Sequence, residues 1–148
     1  MVGLNALNVV YLDKSFNLIK KLAFENKTPQ DYIIKVLFVP NAENYLAVLT
    51  LRSLKILSLQ ADSHPITIVR FTLLDQTLLK DFTFMETPGN LKEKRLFVAS
   101  NDGNLYTHQL NLDDLQGLNE EELILVETVY FSPENKPNGK TINSVTYF

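Results

Sequence analysis

Apolar residues along this chain recur at every second position or in short runs, and β-branched and aromatic side chains are abundant among them. Both are strand patterns. Period two marks a half-buried strand, and a short continuous run marks a strand buried on both faces. The pattern predicts strands over residues 9–12, 17–24, 33–39, 45–50, 54–59, 67–73, 78–85, 95–100, 104–110, 123–131 and 142–148. Turn residues break the pattern at 26–30, 40–44, 61–65, 87–92 and 133–140. Asn101-Asp102-Gly103-Asn104 is the clearest hairpin turn, because Asp-Gly supplies positive φ at low cost. Residues 112–122 could form a short helix, but their charge run reads better as a solvated loop.

The strands repeat in fours. Val36-Leu37-Phe38 answers Phe82-Thr83-Phe84, at an offset of 46 residues. Tyr45-Leu46-Ala47-Val48-Leu49-Thr50 answers Arg95-Leu96-Phe97-Val98-Ala99-Ser100, and Leu54 to Leu59 answers Leu105 to Leu110, at offsets of about 50. Four strands in a unit of about 40–50 residues is the pattern of a β-propeller blade. Ala47-Val48-Leu49 and Phe97-Val98-Ala99 are apolar at successive positions, so each sheet must be covered on both faces, which stacking provides. The expected fold is therefore all-β: a partial WD-repeat-like propeller of about two complete four-stranded blades plus flanking strands. Residues 1–30 would end a preceding blade, 31–74 and 75–132 would be full blades, and 133–148 would begin a following one. Such a chain is expected to be part of a larger ring. The Trp-Asp that closes the third strand of standard WD repeats is Leu57-Ser58 in one unit and His108-Gln109 in the other, so the expected propeller is a divergent one.

Composition narrows the function classes. Hydrophobic residues make up 45% of the 148 positions and the net charge is only -3, which suits a packed core and not disorder. The acidic balance, with a pI of 5.4, argues against a general nucleic-acid binder. With no cysteine, neither a disulfide framework nor a cysteine-ligated zinc is possible. No apolar run reaches the ~18–20 residues a membrane helix needs, so no membrane insertion is expected.

Candidate chemistry is sparse. There are two histidines, His64 in a loop and His108 in a strand, and no nucleophile elbow or phosphate-binding glycine loop accompanies them. Catalytic, cofactor and metal sites are not expected. The sharpest charge cluster is Asp113, Asp114, Glu120, Glu121 and Glu122, a loop that would meet a basic partner or simply face solvent. Tyr11, Tyr32 and Phe131 would serve as interface anchors or, more ordinarily, pack between blades.

Several segments, taken in order, resemble one family. Asp31 to Pro40, Tyr45 to Thr50 and Leu54 to Leu59 look like three successive strands of the propeller of the giant calossin-type ubiquitin-protein ligases, known as pushover in flies and BIG in plants. Leu79-Lys80-Asp81-Phe82-Thr83-Phe84 resembles the family's next strand, and Ser100 to Leu110 resembles its Ser-Ser-x-Gly-x-Ile-Tyr-Thr-Gln-Leu hairpin. Asn143 to Tyr147 fits the strand after that. Phe38 stands where the family tends to have Trp, and Leu57-Ser58 replaces its Tyr-Asp pair. The resemblance implies a non-catalytic scaffold segment of a cytoplasmic E3 ligase acting in N-degron and quality-control ubiquitination. The zinc modules that read degrons and recruit the conjugating enzyme would lie elsewhere. The implied partners are other blades and helical repeats of the full-length protein, and other proteins. A vesicle-coat or ciliary-transport adaptor would use the same blade pattern.

Overall fold

A computed structural model describes residues 5–60, 64–129 and 144–145. The described chain is all-β apart from two single turns of helix. Ten strands form three sheets, none of them closed into a barrel. Strands β1 (Ala6–Leu12) and β2 (Leu18–Glu25) make a hairpin. Strands β3 (Ile33–Val39), β4 (Ala42–Thr50), β5 (Leu54–Ser58) and β6 (Ile66–Thr72) form an antiparallel meander, the first unit. Strands β7 (Leu79–Thr87), β8 (Asn90–Ser100) and β9 (Leu105–Asn111) form a second meander. One turn of helix, α1 (Leu112–Leu115), and strand β10 (Glu121–Ile124) follow.

The two meanders carry the same hydrogen-bond register. In the first, Val36 faces Val48, Phe38 faces Leu46, and Ala47 faces Ile56. In the second, Phe82 faces Val98, Phe84 faces Leu96, and Phe97 faces Thr107. Each pair maps onto its counterpart at the offsets read from the sequence. Even the register break near the start of the first strand recurs, between Ile33 and Lys35 and again between Leu79 and Asp81. The connection after β8 is one residue longer than that after β4. It closes by Ser100 N donating to Asn104 O, where Thr50 N donates to Ser53 O in the first unit. Gly103 sits in this longer turn at a φ of 82°, a conformation that costs a side chain energy.

Burial explains the doubly apolar runs. In β4, Leu46 and Val48 point to one face of the first meander and pack with Leu57, Val9 and Leu22, so the β1–β2 hairpin covers that face. Ala47 and Leu49 point to the other face and share a core with Phe82, Phe84, Leu96 and Val98 of the second meander. The first meander thus lies between two layers, and every residue from Leu46 to Thr50 is buried. Leu49 and Leu54, both fully buried, each add about 2–3 kcal/mol of burial.

Three expectations need correction. Of residues 123–131, expected as the fourth strand of the second unit, the described part, 123–129, does not form one long strand there. Instead β10 pairs in parallel with β6 and becomes a fifth strand of the first sheet, with Glu122 opposite Arg70 and Leu123 opposite Phe71. Only farther along does the chain reach β9: Thr128 bridges Tyr106, Thr107 N donates to Glu127 O, and Val129 N donates to Leu105 O. The charged stretch 112–122 is not wholly a loop. Asn111 Oδ1 accepts from Asp113 N and caps α1, which sets Leu115 into the core at 2% exposure. Glu121 and Glu122 lie in β10 with exposed side chains, because an edge strand needs only its backbone satisfied. Lastly, the connections after β3 and β7 are two-residue turns, so β4 and β8 start earlier than the breakers at 40–44 and 87–92 suggested. Phe131 lies outside the described residues, as does the strand expected over 142–148 except for Ser144 and Val145.

Candidate interaction surface

The acidic cluster is divided in space by the elements that carry it. Asp113 and Asp114 sit in the first turn of α1, and Asp113 accepts from Lys92 Nζ at 3.0 Å across open surface. Glu120, Glu121 and Glu122 lie at the start of β10 and along it, on the outer edge of the first sheet. Glu120 adopts a φ of 51° as the chain turns into β10, and Glu120 N donates to Thr67 O at 3.2 Å. The five carboxylates therefore form two small groups, not one continuous acidic face.

On the sheet, the glutamates meet cations. Lys55 of β5, Arg70 of β6 and Glu122 of β10 are successive partners across the ladder. With Thr67 and Glu120 they line a cleft of about 260 Å³. The Nε of Arg70 is buried there without a hydrogen-bond partner. Lys55 donates to Asn26 Oδ1 at 2.9 Å and lies 5.8 Å from the ring of Phe24. Burial pushes its ammonium below the usual lysine value; Arg70 pushes the same way and Asp31 opposes. Two cations and two carboxylates line it, so the cleft has no single sign of charge with which to select a ligand.

Two polar clusters fix the ends of the units. Asp31, at 1% exposure, accepts from the Thr50 hydroxyl and from Arg52 N, both at 3.0 Å. In the second unit the counterpart of Thr50 is Ser100, whose hydroxyl donates to Asp102, and Asp102 also takes Tyr106 OH at 2.7 Å. A hydroxyl at the end of the second strand thus organises the following turn in both units, with the carboxylate supplied from different places.

The first strands of the units are joined directly. Lys35 of β3 donates to Asp81 Oδ1 at 2.7 Å and to Phe82 O at 2.8 Å. Lys35 and Asp81 occupy the same position in successive units. Asp81 Oδ2 in turn accepts from Val145 N at 2.8 Å. Burial opposes its charge, yet the hydrogen bonds from Lys35, Val145 and Phe82 outweigh that and hold the carboxyl below the ordinary aspartate range. Neither residue stood out in the sequence, although opposite charges one repeat apart were a usable signal.

His108 is half-buried in β9 with its ring 5.1 Å from Phe71. Burial lowers its pKa, Glu127 opposes and Arg95 reinforces. His64 is exposed beside Pro65 at the entrance to β6. Tyr11 packs against the hairpin's core and Tyr32 is half-buried just before β3. Among the described residues no three His, Asp or Glu side chains gather into a metal-holding group, and no helix is long and apolar enough to cross a membrane. Comparison with protein-family models, curated proteins and solved structures returned no match.

Proposed function

We propose that the chain is a run of WD-like β-propeller blades serving as a non-catalytic protein-interaction scaffold within a giant ubiquitin-protein ligase of the calossin type. The observation that carries the blade reading is the pairing of equivalent strands: two meanders of matching register stack face to face, with Lys35 of one first strand bonded to Asp81 of the next. Propeller blades stack in this way, each leaning on its neighbours about a central axis. Val145 N on Asp81 continues the series toward a third unit. The ligase assignment is supported by the ordered strand motifs from Asp31 to Leu110. In this role the blades hold flanking segments in place and present loops to partner proteins in the cytoplasm.

Two measurements test the proposal. Electron microscopy of the longest natural polypeptide containing this sequence is expected to show a ring of blades. A closed two-sheet sandwich at this position would overturn the propeller. The same polypeptide, mixed with ubiquitin, ATP, activating and conjugating enzymes, is expected to build ubiquitin chains, while residues 1–148 alone build none. An inactive full-length protein would remove the ligase assignment and leave the scaffold.

A further inference from the structure

The face of β3 is covered differently from the same face of β7. Val36 and Phe38 are 37% and 51% exposed, whereas their counterparts Phe82 and Phe84 are 0% and 5% exposed. The second unit shows what does the covering. Phe82 and Phe84 are buried against the first meander, whose strands β3 and β4 contact β7. The other half of that meander lies over the other half of the second: the ring of Phe71 of β6 packs at a tilt against His108 of β9.

The hairpin β1–β2 reproduces only that other half. Phe24 of β2 lies over Lys55 of β5, as β6 lies over β9, and Lys20 Nζ reaches Leu59 O. Val9 of β1 joins Leu46 and Val48 of β4 in one cluster. The hairpin is two strands wide on a sheet of five; of β3 only Ile33 packs against its cluster, while Ile34, Val36 and Phe38 stay exposed. Among the described residues β1 pairs with β2 alone, and no described strand pairs with its other backbone edge.

We infer that β3 and this other edge of β1 together form a docking site for an antiparallel β-hairpin built like β3–β4. Its second strand adds to β1 through backbone hydrogen bonds, and its first lies across Ile34, Val36 and Phe38 with apolar side chains at alternate positions. This is strand addition with side-chain specificity. The new surface is continuous with the existing hairpin–sheet interface, which Ile33 already joins. The inference rests on the blade reading for the shape of the occupant, but its contacts are set by the repeat alone.

The test uses the 148-residue chain and a fluorescent, cyclised hairpin peptide carrying the sequence of residues 33–50. Saturable binding in the micromolar range is expected by anisotropy, with slowed amide exchange along β1. Phe38→Asp and Val36→Lys should each weaken binding by about tenfold or more, while Phe16→Asp, at an 83% exposed turn position, should leave it unchanged. Circular dichroism melts confirm that the variants stay folded. Absence of binding at about 100 μM peptide, or equal binding by Phe38→Asp, overturns the site. Self-association of the free chain that Phe38→Asp abolishes overturns it in favour of a second copy. A ring seen by microscopy together with no peptide binding would refute this inference and leave the blade reading standing.

Discussion

Replacing Asp81 with alanine removes the acceptor on which three segments converge. Lys35 Nζ, Val145 N and Phe82 N all donate to this carboxylate at 2.7–2.8 Å, and its side chain is 12% exposed. Breaking a buried ion pair by deleting one partner costs about 3–5 kcal/mol. Lys35 is 30% exposed and keeps Phe82 O as an acceptor, so the lower end applies, about 3 kcal/mol. For a chain of this size each kcal/mol lowers the melting temperature by about 2–4 °C, so Asp81→Ala should melt about 6–12 °C below the parent. Thermal and urea melts at pH 7 measure both quantities. A double-mutant cycle with Lys35→Met should recover a coupling of about 1–2 kcal/mol. The pH dependence gives an independent check. A carboxyl whose folded pKa is depressed stabilises fully above its unfolded value and loses that contribution as pH falls through the folded value. The gap between parent and Asp81→Ala should therefore be constant from pH 7 to 5 and close below about pH 4. A gap under about 0.5 kcal/mol at pH 7, or one that widens in acid, would refute the account of Asp81 as a junction between units.

Four other outcomes follow from the same geometry. Leu115→Ala should cost about 2–4 kcal/mol in urea melts, because a fully packed side chain leaves a cavity. Gly103→Ala should cost about 1 kcal/mol, the penalty for holding a side chain at φ 82°. Asp113→Ala should change stability by less than about 0.5 kcal/mol, since its pair with Lys92 stands in solvent. His108→Gln should flatten the stability profile between about pH 7 and 5. The neutral imidazole is favoured in the folded chain, so the parent loses stability as pH falls through the unfolded histidine value and the variant does not.

Much of the fold was legible because backbone pairing and burial leave period-two marks. The doubly apolar run Ala47-Val48-Leu49 announced a strand covered on both faces, and the offsets between Val36 and Phe82 and between Thr50 and Ser100 reappear as ladder registers. The destination of residues 121–124 was not legible. Strand pairing is a matter of backbone hydrogen bonds, and the glutamates at 121 and 122 carry no mark of which sheet edge they join. The short helix was hidden for a similar reason: its one buried side chain is Leu115, directly beside Asp113 and Asp114 in the charged stretch. The interaction surface was only partly legible. The five acidic residues were visible as a run, but their division between α1 and β10, and the junction of Lys35 with Asp81, depend on contacts between distant segments.

The segment from Glu121 to Val129 has a mechanical consequence. It runs first along β6 and then beside β9, so one continuous thread is sewn across the seam between two stacked sheets. Tension that tries to peel the sheets apart must shear the parallel ladder at β6 or tear the contacts at Tyr106. Neither sheet is then free to unravel alone, and under load the pair should yield as a single unit.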